Sequence, residues 1–114
     1  MNIVMEEKFM AFKFTDSNFQ EEAMTSNVPV VVDFYADWCG PCKMMSPVVE
    51  ELATAYEGKV KIGKLNTDEN RAIASKFNIM SIPTIICLKD GEVVDTIVGA
   101  LPKVALEEKI KNLI

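Results

Sequence analysis

Cys39 and Cys42 stand in the run Trp38-Cys39-Gly40-Pro41-Cys42, directly after the apolar stretch Val30-Val31-Val32-Asp33-Phe34-Tyr35 and before a segment of helical periodicity. Thiols at that junction can do redox chemistry. The first N–H groups of a helix lack partners within it and carry the positive end of its dipole, and both favour a thiolate. Three positions apart, the two sulfurs share one face of the first turn and can close on each other. These residues indicate a dithiol/disulfide enzyme. A CxxC pair is also half of a zinc site. Yet the chain has no histidine and only Cys87 besides the pair, too few good ligands for a four-coordinate metal.

Such a pair needs a strand on one side and a helix on the other. Val30 to Tyr35 is apolar on both faces and β-branched, as expected of a central strand covered on each side. From about Pro41 to Glu57, Met44, Met45, Val48, Val49, Leu52 and Tyr56 are spaced for one broad apolar helical face, with a kink expected at Pro47 and an end at Gly58. Upstream, residues 9–14 alternate as a plausible edge strand. Ser17 and Gln20 resemble a capping box for a short helix through Met24, broken by Asn27-Val28-Pro29. Downstream come a strand over 60–65, a helix over 67–76, and strands over 84–88 and 92–98 joined through Lys89-Asp90-Gly91, a hairpin signal. Pro102 opens a last helix whose Val104, Leu106, Ile110 and Leu113 are expected to face the sheet. The order β-α-β-α-β-α-β-β-α implies a mixed sheet, parallel across the helical crossovers and antiparallel at the hairpin.

The 114 residues suffice for one domain, with 49% hydrophobic and 25% charged residues in ordinary globular balance. The net charge of -5, without a cluster of Lys or Arg, argues against nucleic acid as a partner. No apolar run nears the roughly 18 residues of a membrane span. The acidic start Met1-Asn2-Ile3-Val4-Met5-Glu6-Glu7 does not read as a signal peptide. Together with the sparse cysteines this leads to the expectation of a cytoplasmic, reducing compartment, and nothing in the sequence argues against a monomer.

Motif, context and element order together resemble the thioredoxin family over essentially 12–114. The residues that carry the likeness are Asp33-Phe34-Tyr35-Ala36-Asp37-Trp38-Cys39-Gly40-Pro41-Cys42-Lys43-Met44 and Pro47. To them belong Lys64-Leu65-Asn66 with Asp68, Ile82-Pro83-Thr84, Asp90-Gly91 and Val98-Gly99-Ala100. Tyr35 departs from the second tryptophan usual there, and Cys87 adds a thiol inside a strand. The resemblance implies an α/β thioredoxin fold, a central mixed five-stranded sheet flanked by four helices in three layers. Residues 1–8 would form an extension open to mobility, and 9–114 a single domain.

By the same resemblance Cys39 is the nucleophile and Cys42 the resolving thiol. Gly40 and Pro41 offer neither sulfur a side-chain donor, and proline no N–H, which stabilises the thiolate little and makes the couple reducing. Asp33 is a carboxylate in an apolar strand, where desolvation raises its pKa. The likeness places it beneath the dithiol as a base for the Cys42 proton, with Lys64 as its partner. It also implies a cis Ile82-Pro83 bond and a flat substrate-binding rim of Trp38, Ile82, Pro83, Val98, Gly99 and Ala100. Cys87 reads as inert core. The implied activity is general reduction of protein disulfides, with no bound cofactor and with re-reduction by a thioredoxin reductase. A disulfide oxidant or isomerase, and a thioredoxin-like interaction or chaperone module, remain alternatives at this point.

Overall fold

The alternation of side chains along a strand divides the core of this protein in two. In the computed structural model, which describes residues 11–114, Val30, Val32 and Phe34 point to one face of the sheet, and Val31 and Asp33 to the other. The strands are β1 (Phe12–Phe14), β2 (Val30–Tyr35), β3 (Lys61–Asn66), β4 (Thr84–Lys89) and β5 (Glu92–Val98), in the spatial order β1-β3-β2-β4-β5. Helices α2 (Gly40–Ala55) and α4 (Lys103–Lys111) cover the Val31 face. There Met45, Val49 and Leu52 of α2 meet Leu106 and Ile110 of α4 and Leu113 just beyond it. Helices α1 (Gln20–Met24) and α3 (Arg71–Lys76) cover the other, where Phe19, Ala23, Ile73 and Phe77 pack on Phe14, Val32, Phe34 and Leu65. This is the expected three-layer α/β thioredoxin fold, with five strands and four helices. The expectations for residues 1–8, and for a strand beginning at 9, lie outside the described residues.

β1, β3 and β2 are parallel, but β4 enters antiparallel to β2, and β5 antiparallel to β4. The expectation of parallel pairing across every helical crossover therefore fails at β4. The crossover brings Thr84 beside Phe34, one step from the Tyr35–Asn66 pair at which β3 ends. The chain re-enters the sheet at the end where it left. Pro83 and the start of β4 thus come to the same edge as the C-terminal end of β2.

Several local expectations shift as well. Ser17 does not cap α1. Thr15 and Asn18 form the reciprocal box, Thr15 N–H donating to Asn18 Oδ1 at 2.8 Å and Asn18 N–H to Thr15 Oγ1 at 3.2 Å, and α1 itself is wound as a π-helix. α3 begins at Arg71, because Asn66 Oδ1 accepts the N–H groups of Asp68 and Glu69 and holds the preceding residues in a turn. Asp16 then accepts from the N–H groups of Ala72 and Ile73 and serves that helix from outside. α2 runs on through Pro47, which is exposed. Met44 and Val104 do not join the core. They are 74% and 76% exposed, since Met44 lies 100° from Met45, and Val104 lies 200° from Leu106, around their helices. The hairpin is as expected: Asp90 (φ 54°) and Gly91 (φ 79°) both take left-handed backbone, as a two-residue type I′ turn requires.

β1 and β3 approach so closely that only glycine fits at 63. A Cβ there would fall well inside contact with the carbonyl oxygen of Phe12 and the ring of Phe14. Neither can retreat, the first being backbone and the second fully buried. We expect Gly63→Ala to destabilise the fold by about 3 kcal/mol; chemical denaturation showing a loss below about 1 kcal/mol would contradict this packing.

Candidate redox site

β2 ends at Tyr35, and the turn Ala36-Asp37-Trp38 delivers Cys39 to the N-cap of α2. Cys39 has extended backbone (φ -90°, ψ 113°), and its N–H donates to Ala36 O at 3.2 Å. The N–H of Cys42 donates to Cys39 Sγ at 3.2 Å. The sulfur of Cys39 therefore occupies the position of a capping side chain and receives a donor that the helix cannot use internally. Cys39 and Cys42 are joined as a disulfide with Cα atoms 5.2 Å apart. Both are buried, at 4% and 3% exposure, so accessibility does not distinguish them; the cap does. Gly40 and Pro41 lie exposed between them in the first turn.

The antiparallel entry of β4 places the Ile82-Pro83 bond against the pair. It is cis, as expected; Ile82 packs on Ala36, Cys39 and Cys42, and its carbonyl oxygen lies 3.9 Å from Cys39 Sγ. Pro83 O accepts from Gly99 N–H at 2.8 Å, which brings Val98-Gly99-Ala100 to the same edge, with Gly99 in left-handed backbone (φ 93°). Val98 is 67% exposed, which removes it from the core. Trp38 is 71% exposed, its indole N–H donating to Asp68 Oδ2 at 2.9 Å. Of the expected rim, Trp38, Val98 and Ala100 are exposed, Ile82 and Gly99 are half-buried, and Pro83 is buried. A hollow of about 380 Å³ bounded by Phe12, Val28, Val60 and Ile62 lies at the far end of the sheet and touches none of them.

Asp33 is fully buried on the α2 side of β2, and neither carboxylate oxygen has a hydrogen-bond partner among the described residues. Burial raises its pKa from 3.8 to about 7, the charge of Lys64 acting weakly against the shift. Asp33 and Lys64 are register partners across β2 and β3. The charge of Lys64 acts on Asp33 as the resemblance implied, while its contacts lie elsewhere: Lys64 Nζ donates to Ser46 Oγ at 2.6 Å and lies 4.7 Å over the Tyr35 ring. Only its field reaches the carboxylate. Ser46 escaped the sequence reading, although its position four residues after Cys42 puts it on the same helical stripe. Cys87 sits apart on β4, fully buried, its thiol pushed up to about 11 by burial and by Asp95 opposite. It is core.

A dithiol at a capped helix N-terminus, a cis-proline loop over its sulfur and a buried carboxylate on the strand that leads to it define a thiol–disulfide oxidoreductase. The family profile "Thioredoxin" matches residues 10–112. Thioredoxin 1 of Nostoc sp. is 52% identical over 102 residues, covering 90% of this chain and 95% of the relative. A thioredoxin of Chlorobaculum thiosulfatiphilum is 56% identical over 99 residues, with 87% and 92% covered, and thioredoxin 1 of Synechococcus elongatus 53% over 97, with 85% and 91%. The chain belongs to the thioredoxin family. Like the family it exchanges electrons with protein disulfides through its dithiol, is returned to the dithiol by a reductase, and needs no further cofactor.

Proposed function

We propose that this protein works as a general reductant of protein disulfides, with Cys39 attacking and Cys42 resolving. The Cys39 thiolate attacks one sulfur of a substrate disulfide, forming a mixed disulfide and releasing the other sulfur as a thiolate that takes a proton. Cys42 then gives its proton to the Asp33 carboxylate and attacks Cys39 Sγ. That step releases the second substrate sulfur as a thiolate, which takes up a proton, and closes Cys39–Cys42. Two electrons pass to the substrate. The observation that supports this order most directly is the Cys42 N–H directed at Cys39 Sγ, since it stabilises a negative charge on that sulfur alone.

The substrate enters along the rim of Trp38, Ile82, Pro83, Val98, Gly99 and Ala100, whose exposed members Trp38, Val98 and Ala100 suit extended segments of varied sequence. A thioredoxin reductase restores the dithiol, and the protein acts as a cytoplasmic monomer. In support of the compartment stand the sparse cysteines, and among the described residues no helix is long and apolar enough to cross a membrane.

The test is the reduction potential of the Cys39–Cys42 couple, followed by the fluorescence of Trp38, the only tryptophan. A reductant requires a value well below the glutathione poise, and a value at or above it would sink the proposal. Because Pro41 offers the sulfurs no donor, Pro41→His should raise the potential by about 20–40 mV, the equivalent of about 1–2 kcal/mol more stabilisation of the thiolate form. An unchanged potential would show that the intervening residues do not tune the couple.

A further inference from the structure

Lys64 faces the buried carboxyl across the sheet, yet its contacts lie elsewhere. Asp33 and Lys64 are register partners on β2 and β3, on the face turned to α2, and both Asp33 oxygens lack a partner among the described residues. Two groups hold the ammonium instead: Ser46 Oγ at 2.6 Å, and the Tyr35 ring with its centroid 4.7 Å away. They come from different elements, and Tyr35 is two residues beyond Asp33 on the same strand face. Ser46 is four residues beyond Cys42 on the same helical stripe. Tyr35, Cys42, Ser46 and Lys64 line one cleft of about 150 Å³, closed further by Asp37 and Lys43. That cleft meets the resolving cysteine from the side.

We infer that Ser46 and Tyr35 are positioning residues of the redox site, which hold the Lys64 ammonium in the cleft beside Cys42 and out of contact with Asp33. This rests on the role of Asp33 as the base for Cys42. The physical logic is one of distance. An ammonium in direct contact with a carboxylate favours its ionised form strongly, whereas one held back leaves a carboxyl able to exchange a proton near neutrality. The charged and titratable groups around the pair are few. They are Tyr35 and Asp37 from β2 and the turn after it, Cys39, Cys42 and Lys43 from α2, and Glu69 beyond β3. From β4 the register partner of Asp33 is the apolar Ile85, and α4 faces this layer with Leu106 and Ile110. None of these supplies a second cation in contact with Asp33.

The experiment is a carbon NMR titration of the Asp33 carboxyl across neutrality in the oxidised full-length protein. Ser46→Ala and Tyr35→Leu should each lower its midpoint by about one pH unit as Lys64 falls back onto the carboxylate. Ser46→Thr, which keeps the hydroxyl, and Tyr35→Phe, which keeps the ring face, should hold the wild-type midpoint. In a Lys64→Gln background the midpoint should rise, and Ser46→Ala should no longer move it. The inference is overturned if both Ser46→Ala and Tyr35→Leu leave the midpoint in place, or if their shift persists without Lys64. Failure of the base role is read separately. An Asp33→Asn protein with the wild-type pH–rate profile would overturn that role, while the titration would still report whether Ser46 and Tyr35 govern the carboxyl.

Discussion

Replacing Cys42 by serine should leave a protein that attacks a disulfide once and then stops. The serine hydroxyl cannot displace a thiolate from a mixed disulfide, so Cys39 stays bonded to its substrate. Steady-state reduction should fall by at least about 10³-fold, because loss of a reacting group leaves only binding behind. Mass spectrometry after incubation with a disulfide-bonded protein should show the covalent adduct, which dithiothreitol releases. Cys39→Ser should lose turnover equally but trap nothing. The two sulfurs are almost equally buried, so this asymmetry tests the cap itself: the Cys42 N–H lies 3.2 Å from Cys39 Sγ and favours charge there. An adduct that forms with Cys39→Ser and not with Cys42→Ser would reverse the order of attack.

Asp33→Asn should make the protein more stable and less active. The folded carboxyl has its pKa raised from 3.8 to about 7, chiefly by burial. Between those values the native protein retains a proton that the unfolded chain has released. Wild-type stability therefore falls as pH rises through that window and is level above it. At about 1.4 kcal/mol per unit the ionised carboxylate costs about 4 kcal/mol above pH 7, and a neutral asparagine of the same shape avoids that cost. Urea denaturation should show a gain of this order in alkaline buffer, with an unchanged m-value, that vanishes below the ordinary pKa of aspartate. The resolving step should meanwhile slow by about 10²-fold and lose its dependence on a group titrating near neutrality. A variant no more stable than the wild type in alkaline buffer would mean that the carboxylate is solvated in the native state. Unchanged kinetics would remove Asp33 from the proton path.

The proposed base role of Asp33 would account for a carboxyl in the core without a hydrogen-bond partner among the described residues. A hydrogen-bond partner for either oxygen, or a contact pair with Lys64, would lower the pKa and relieve the fold. It would also leave a weaker base. The geometry around Lys64 is consistent with that balance, since the ammonium is held by Ser46 and Tyr35 and reaches Asp33 only through its field.

Much of this site was legible from short-range pattern. The three-residue spacing of Cys39 and Cys42, the strand before them and the helix after them rest on local backbone preferences, which act over a turn or two. The same is true of the alternation in Val30–Tyr35, which separates the two halves of the core, and of Asp90-Gly91, whose left-handed backbone sets the hairpin. Asp33 stood out because a charge in an apolar strand is a local anomaly. No local pattern told what meets the dithiol from 40 or more residues away; the resemblance implied Ile82-Pro83 there, and the contact between Cys39 and Ile82 shows it. β4 enters the sheet at the end where β3 leaves it and runs antiparallel to β2, which carries Ile82-Pro83 to Cys39. The tertiary structure decided that Lys64 engages Ser46 and Tyr35, and that Met44 and Val104 stay in solvent. Periodicity tells which face of an element a residue occupies. Which neighbour that face meets depends on packing between distant elements, and no local pattern encodes it.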